Sequence, residues 1–360
     1  PMASVLEKTG YKNAMAIGLG VMVVGSLLFI PAALSANFLV FLLALFTLGT
    51  GLTILQTASN PYVVLIGPIH SAAMRISIMG LINKSAGVLV PILFTALILS
   101  DMGSISGDLS NEDIDVLAQR LVMPYIVMAV VLSGLIGLVK FSSIPELEFE
   151  KEDTHDKGSI LQFPRVIMGA VALFFYVGIE VIAGDTIGLY AQGLEVSNAT
   201  ALTSYTMVFM VLGYFVGILF IPKFLSQEKA LILSALGGIV LIFGVAFSSS
   251  TSHGISEFLW GWSGIATLPD TVSFVALLGF ANALVWPTIW PLALEGLGRY
   301  TAKGSALLIM AIAGGAILPL VFGRIAQATG DMQLSYLVGI ICYLFIFMYA
   351  IKWHKMSSWK

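Results

Sequence analysis

An all-α polytopic membrane protein is the fold class this sequence predicts, and three observations predict it. Hydrophobic residues make up 58% of the 360-residue chain and charged residues 10%, whereas soluble domains carry about 25% charged residues. Mean hydropathy is +0.98. The apolar residues gather into ten runs near the roughly 20 residues that a helix needs to cross a hydrocarbon core about 30 Å thick. The runs are too long for barrel strands and do not alternate apolar with polar.

Each run is bounded by a change of composition. The first, 13–33, follows the basic stretch "EKTGYKN", and the second, 37–66, carries "FLVFLLALFTLGTGLTI" and ends on the polar "LQTASNPYVV". The third, 76–99, starts beside Arg75, and the fourth, 120–140, follows an acidic segment from Asp101 to Asp115. Arg165 opens the fifth, 165–187, and the sixth and seventh, 200–221 and 229–248, flank a turn with Lys223 and Lys229. The eighth, 270–294, contains "NALVWPTIWPLALEG", the ninth, 303–325, starts at Lys303, and the tenth, 333–352, leads into a basic tail.

Charge orients the spans. Lys8, Lys12, Arg75, Lys140, Lys151, Lys157, Arg165, Lys223, Lys229, Arg299, Lys303, Lys352, Lys355 and Lys360 fall on one side. Asp101, Asp108, Glu112, Asp113, Asp115, Glu195, Glu257, Asp270 and Asp331 fall on the other, with Arg120 and Arg324 nearby. Lysine and arginine mark the cytoplasmic side, so both termini are expected there. The charged stretch 142–163 is then a cytoplasmic linker between a four-span block, 1–141, and a six-span block, 164–360. A lone cysteine, Cys342, excludes an intrachain disulfide. The four histidines lie outside the apolar runs, so no metal site is expected. No basic cluster suggests nucleic acid. No nucleophile–base set or phosphate loop suggests an enzyme.

The two blocks resemble each other. "KNAMAIGLGVMVVGSLLF" from Lys12 aligns with "KALILSALGGIVLIFGVAF" from Lys229, and "AGVLVPILF" from Ala86 with "GGAILPLVF" from Gly314. Arg75 falls on Lys303 in the second register. Parallel repeats of this kind build transporters from two six-helix bundles around a midplane site. The second block has two spans ahead of the one at Lys229, whereas the first has none ahead of the one at Lys12. The expectation is a twelve-helix architecture seen here with ten helices, the first two missing.

Polar side chains at membrane depth are costly and mark pathways or helix contacts. Gln56 and Asn60 share one helix face, just ahead of Pro61, and serve either as helix–helix contacts or as a face toward substrate or ion. Asn83 is expected to face a cavity, while Lys84 either reaches the interface or pairs with an acid. Glu180 and Asp185 in "YVGIEVIAGDTIGLY" are carboxylates well inside a span. Each is a candidate for exchanging a proton, for accepting bonds from adjacent sugar hydroxyls, or for structural pairing. Trp286 is placed to stack on a sugar ring with Asn282 one turn away. Trp290 reads as an interfacial anchor or a second wall residue, and Glu295 as the partner of Arg299. The Pro-interrupted spans at Pro61 and Pro287, one per block, are a paired irregularity that points to a binding site.

"LQTASNPYVVLIGP", "RISIMGLINKSAG", "YVGIEVIAGDTIGLYAQ", "WPTIWPLALEGLG" and "KGSALLIMAIAGGAILP" together resemble sugar transporters of the major facilitator superfamily. More narrowly they resemble the fucose–galactose–proton symporter family, on its glucose/galactose branch. The resemblance implies a major facilitator fold in a bacterial inner membrane, monomeric, importing a neutral hexose by alternating access. It implies no cofactor beyond a coupling ion, a proton, with sodium as the alternative. The substrate-binding candidates are then Gln56 and Asn83, whose positions match the family's functional residues, with Asn60, Asn282 and Trp286 from the polar pattern, while Glu180 and Asp185 are the candidates for coupling or hydroxyl binding. Fucose permeases of the family carry a glutamate where this chain has Gln56, retain the asparagine of Asn83, and have a glutamine where Glu180 stands. The carboxylate has moved, which fits hexose over fucose. Transport of fucose or N-acetylglucosamine, or sugar sensing without transport, are the alternatives.

Overall fold

The computed structural model describes residues 2–35, 37–94, 111–147, 158–196 and 199–359; of residues 91–94, 111–118 and 200 it describes the backbone alone. Asp101, Asp108, Lys151, His155, Lys157 and Lys360, with residues 148–157 of the charged linker, lie outside these residues. Among the described residues, ten helices are long and apolar enough to cross a membrane. They are α1 (Met2–Leu34), α2 (Phe38–Leu65), α3 (Ile69–Val90), α4 (Gln119–Phe141), α5 (Pro164–Gly193), α6 (Thr203–Phe220), α7 (Gln227–Phe247), α8 (Asp270–Leu294), α9 (Gly298–Thr329) and α10 (Met332–Lys355). All ten expected spans are found, with boundaries shifted by several residues.

The chain divides into two compact units, Pro1–Tyr62 with Leu89–His155 and Gly298–Ile309, and Val63–Val88 with Asp156–Leu297 and Met310–Lys360. Residues 63–88 thus fall in the second unit and residues 298–309 in the first.

In the first unit α1 lies along α4, and the Phe29 and Tyr125 rings stack 4.3 Å apart. The helix is broken at Gly10, whose φ of 76° suits glycine. Its N-terminal turns pack Leu6, Tyr11, Ala14 and Met15 against Ala58, Tyr62 and Ala302. Lys12 Nζ donates to the Ser142 carbonyl at 2.7 Å, and the Tyr62 hydroxyl to the Pro145 carbonyl at 2.8 Å. Those bonds pin the start of the linker. The expected interruption at Pro61 is absent, and α2 continues as a helix to Leu65. Proline leaves the carbonyl of Thr57 without its amide partner, yet the helix runs on, and the side chains beside it bond other carbonyls of the same helix. Asn60 Nδ2 donates to the Gln56 carbonyl at 3.0 Å and Thr57 Oγ1 to the Thr53 carbonyl at 2.7 Å.

In the second unit α5 and α8 are the interior helices, with 61% and 78% of their membrane windows buried. Both sequence stretches are rich in glycine and alanine, which lets neighbouring helices approach closely. Here the proline expectation holds: α8 breaks at Leu284, three residues before Pro287. Thr288 Oγ1 donates to the Leu284 carbonyl at 2.6 Å, satisfying an acceptor at the break.

Arg75 has a role that its charge alone did not reveal. Its guanidinium donates to the carbonyls of Val63 (2.9 Å), Val64 (2.8 Å), Pro68 (3.1 Å) and Gly67 (3.2 Å), and to Ser71 Oγ (2.7 Å). It closes the C-terminus of α2, where carbonyls lack partners and the helix dipole favours a cation. Arg75→Met should cost about 3 kcal/mol, the scale of one or two charged hydrogen bonds. Arg75→Lys should recover only part of that, because one ammonium cannot reproduce the planar fork. Melting temperatures of the purified variants check the order.

Candidate functional site

The site in the second unit starts from Glu180, near the middle of α5. A carboxylate at that depth requires a counter-charge or a proton. Lys84 of α3 supplies the counter-charge: its Nζ lies 2.5 Å from Glu180 Oε1, and the two side chains are 20% and 15% exposed. The question left open by the sequence is thereby answered, since Lys84 pairs with an acid. Gly80, one turn before Lys84, lets α3 approach α6. A Cβ there would lie 2.6 Å from the Tyr214 ring.

Three buried tyrosines lie in the neighbourhood of Glu180. Tyr176, one turn before Glu180, is within hydrogen-bonding reach of its carboxylate, and Tyr214 and Tyr343 are within its electrostatic reach. Tyr176 also meets Trp286, with ring centroids 6.3 Å apart, and Trp286 meets Trp290 at 5.6 Å. Trp286 and Trp290 are spaced four apart on the C-terminal part of α8, and Asn282 lies four residues before Trp286, across the break at Leu284. Between residues 281 and 291, Trp286 alone is not fully buried. Trp286 thus presents one aromatic face beyond the unit's core.

Trp290 is fully buried, which overturns its reading as an interfacial anchor. Hydropathy places a residue in depth but says nothing about its direction. Asn282 is also fully buried, and its Oδ1 accepts from the Tyr343 hydroxyl at 2.8 Å. Asn282 Nδ2 and Trp290 Nε1 are buried donors with no acceptor among the described residues.

The other expected residues are placed less uniformly. Asp185 is exposed on α5, within electrostatic reach of Glu180 and Lys84. Asn83 is exposed on α3. In the first unit Gln56 has its Oε1 buried without a partner, while Asn60 is buried with its amide turned onto the α2 backbone. Glu295 pairs with Arg165, at 3.9 Å through its carboxylate and 3.0 Å through its carbonyl, rather than with Arg299 as expected. Arg299 lies over the ring of its neighbour Tyr300. The sequence reading missed Tyr176, Tyr214 and Tyr343. For Tyr176 the signal existed, a polar aromatic one turn from a membrane carboxylate.

Chemically, the second-unit cluster is a neutralised ion pair rimmed by tyrosine and tryptophan rings, beside an amide donor that lacks an acceptor. The pair has no net charge, so it favours an uncharged polar ligand over an anion or cation. Aromatic faces with a few fixed hydrogen-bonding groups are the usual lining of a small-molecule site.

The chain is 32% identical over 358 residues to a glucose/galactose transporter of Brucella abortus, covering 98% of the chain and 80% of the relative. A putative glucose/galactose transporter of Helicobacter pylori is 30% identical, over 99% of the chain and 84% of that protein. The L-fucose-proton symporter of Escherichia coli is 27% identical, over 97% and 80%. Among solved structures, the major facilitator superfamily transporter FucP in its outward conformation superposes with a TM-score of 0.82. Sequence identity is 25%, and 97% of this chain and 84% of FucP are covered. No family model matches. With that similarity running along nearly its whole length, the chain belongs to the major facilitator superfamily of sugar transporters, in the group that holds the bacterial glucose/galactose transporters and L-fucose–proton symporters.

Proposed function

We propose that the protein imports a neutral hexose of the glucose/galactose type by proton symport, working by alternating access as a monomer in a bacterial inner membrane, with both ends of the chain cytoplasmic. The observation that carries this reading is the Glu180–Lys84 pair beside Tyr176 and Trp286. Glu180 is the proton carrier and Lys84 its counter-charge. A proton taken up by the carboxylate dissolves the pair, and the ammonium must then find water or another acceptor. Protonation thereby favours a different arrangement of α3 against α5, which is the differential interaction that coupling requires. Trp286 stacks on the apolar face of the sugar, while Asn282 and Asn83 bond its hydroxyls. Gln56, in the first unit, can bond sugar hydroxyls but carries no proton. Glutamine there, with an acid at 180, supports hexose over fucose.

Counterflow of labelled glucose, galactose, fucose and N-acetylglucosamine into proteoliposomes holding the full-length protein tests the reading. Glucose and galactose should exchange, and an inward proton gradient should raise their accumulation severalfold while a sodium gradient should not. Preference for fucose or N-acetylglucosamine would transfer the assignment to that sugar. Binding of a sugar without exchange would make the protein a sensor.

A further inference from the structure

We propose that Tyr343 and Gly238 are positioning residues for sugar recognition: they commit the Asn282 amide as a hydrogen-bond donor to an acceptor oxygen of the bound hexose. The inference rests on the sugar-transport reading above and extends it to three residues on three helices.

Asn282 offers one acceptor oxygen and an NH2 group with two donors. The Tyr343 hydroxyl of α10 donates to Oδ1 at 2.8 Å. That bond fixes the plane of the amide and leaves Nδ2 directed away from Tyr343. Nδ2 is buried without an acceptor among the described residues. A buried donor left unmade is costly, and such groups in a native structure call for an explanation. Here the explanation lies four residues on, just across the break at Leu284, where Trp286 is the one partly exposed residue between 281 and 291. A pyranose lying on that ring would bring its hydroxyl or ring oxygens level with Asn282.

Gly238 of α7 holds the other side of Tyr343. A Cβ at Gly238 would overlap the Tyr343 ring at Cε1, Cζ and Cδ1. Glycine is what admits the ring at the depth where its hydroxyl meets Asn282. Tyr343 is fully buried and within the electrostatic reach of Glu180. Because the Asn282 oxygen is already occupied, the site reads the sugar as an acceptor at that position. A fluorine there should be tolerated better than a hydrogen, since fluorine still accepts weakly.

The test is a double-mutant cycle on counterflow by the full-length protein in proteoliposomes, using glucose together with its deoxy and fluorodeoxy analogues as competitors. Tyr343→Phe should raise the half-saturation concentration about tenfold while leaving the maximal rate within about twofold, tenfold being the loss of one modest hydrogen bond. Gly238→Ala should do the same. Asn282→Ala should raise it further, and adding Tyr343→Phe in that background should have no additional effect. In the wild type, one fluorodeoxy analogue should compete better than its deoxy counterpart, and the difference should vanish in Asn282→Ala. A Tyr343→Phe effect of equal size with and without Asn282 would make Tyr343 a packing residue and overturn the inference. So would an unchanged half-saturation in Tyr343→Phe. A wild-type protein that exchanges no hexose would instead overturn the transport reading, and this inference with it.

Discussion

Glu180→Gln is expected to abolish proton-driven accumulation while leaving sugar exchange at equal concentrations within a few fold of wild type. Glutamine keeps the volume and the hydrogen-bonding oxygen but cannot take up a proton, so the variant should still bind and reorient. The cost in stability should be visible as well. Glu180 and Lys84 are both largely buried and paired. Removing one member of such a pair leaves an uncompensated charge and costs about 3–5 kcal/mol. Part of this is recovered because the long lysine stem can carry the ammonium toward water.

The double variant Glu180→Gln/Lys84→Met separates folding from coupling. It removes both charges, and replacing a buried pair by neutral groups is often close to neutral for stability. The melting temperature should return toward that of wild type while accumulation stays absent. Lys84→Met alone should also lower stability, because it leaves the largely buried Glu180 carboxylate without its counter-charge. Uphill uptake retained at the wild-type level in Glu180→Gln would remove Glu180 from the coupling role.

The positions of the spans were legible because membrane depth is written into composition, and the ten apolar runs correspond to ten helices. Direction within a span was not. Trp290 has the composition of an interfacial anchor and lies in a core, and Asn60 shares a helix face with Gln56 yet bonds its own backbone. Pairings across the chain were equally hidden. Lys84 and Glu180 are separated by 96 residues, and nothing local to either names the other. Arg75 could be read as a topological charge, but its five hydrogen bonds depend on a turn whose shape hydropathy does not encode. Proline was a partial guide: it broke α8 at Leu284, whereas α2 runs intact through Pro61.

The largest effect in the first unit is expected at Gly51. Gly18 and Gly25 of α1 face Leu48, Gly51 and Leu55 of α2 in a seam where backbone meets backbone. A Cβ on Gly51 would lie 2.6 Å from the Gly18 carbonyl oxygen and 2.6 Å from the Met22 nitrogen. One on Gly18 would lie 2.7 Å from the Leu55 nitrogen, and one on Gly25 2.6 Å from the Leu48 nitrogen. The obstructing atoms are main chain, so no rotamer change relieves the clash, and the helices must separate along their length. Small residues allow this close approach, on which packing between membrane helices depends. Overpacking of this sort costs about 1–3 kcal/mol for a methyl group and more for a branched side chain. Gly51→Ala should therefore lower the melting temperature clearly, and Gly51→Val should reduce the folded yield severely. Gly49, two residues away on the same helix, has nothing within 4 Å of where a Cβ would stand. Gly49→Ala should be neutral or stabilising, since alanine in a helix is favoured over glycine by roughly 0.5–1 kcal/mol. The seam also sets the register of α2 just before Gln56, so the Gly51→Ala protein that does fold should show a raised half-saturation concentration for sugar, which Gly49→Ala should not. Equal stability in the two alanine variants would mean that the α1–α2 crossing is looser than the backbone geometry requires.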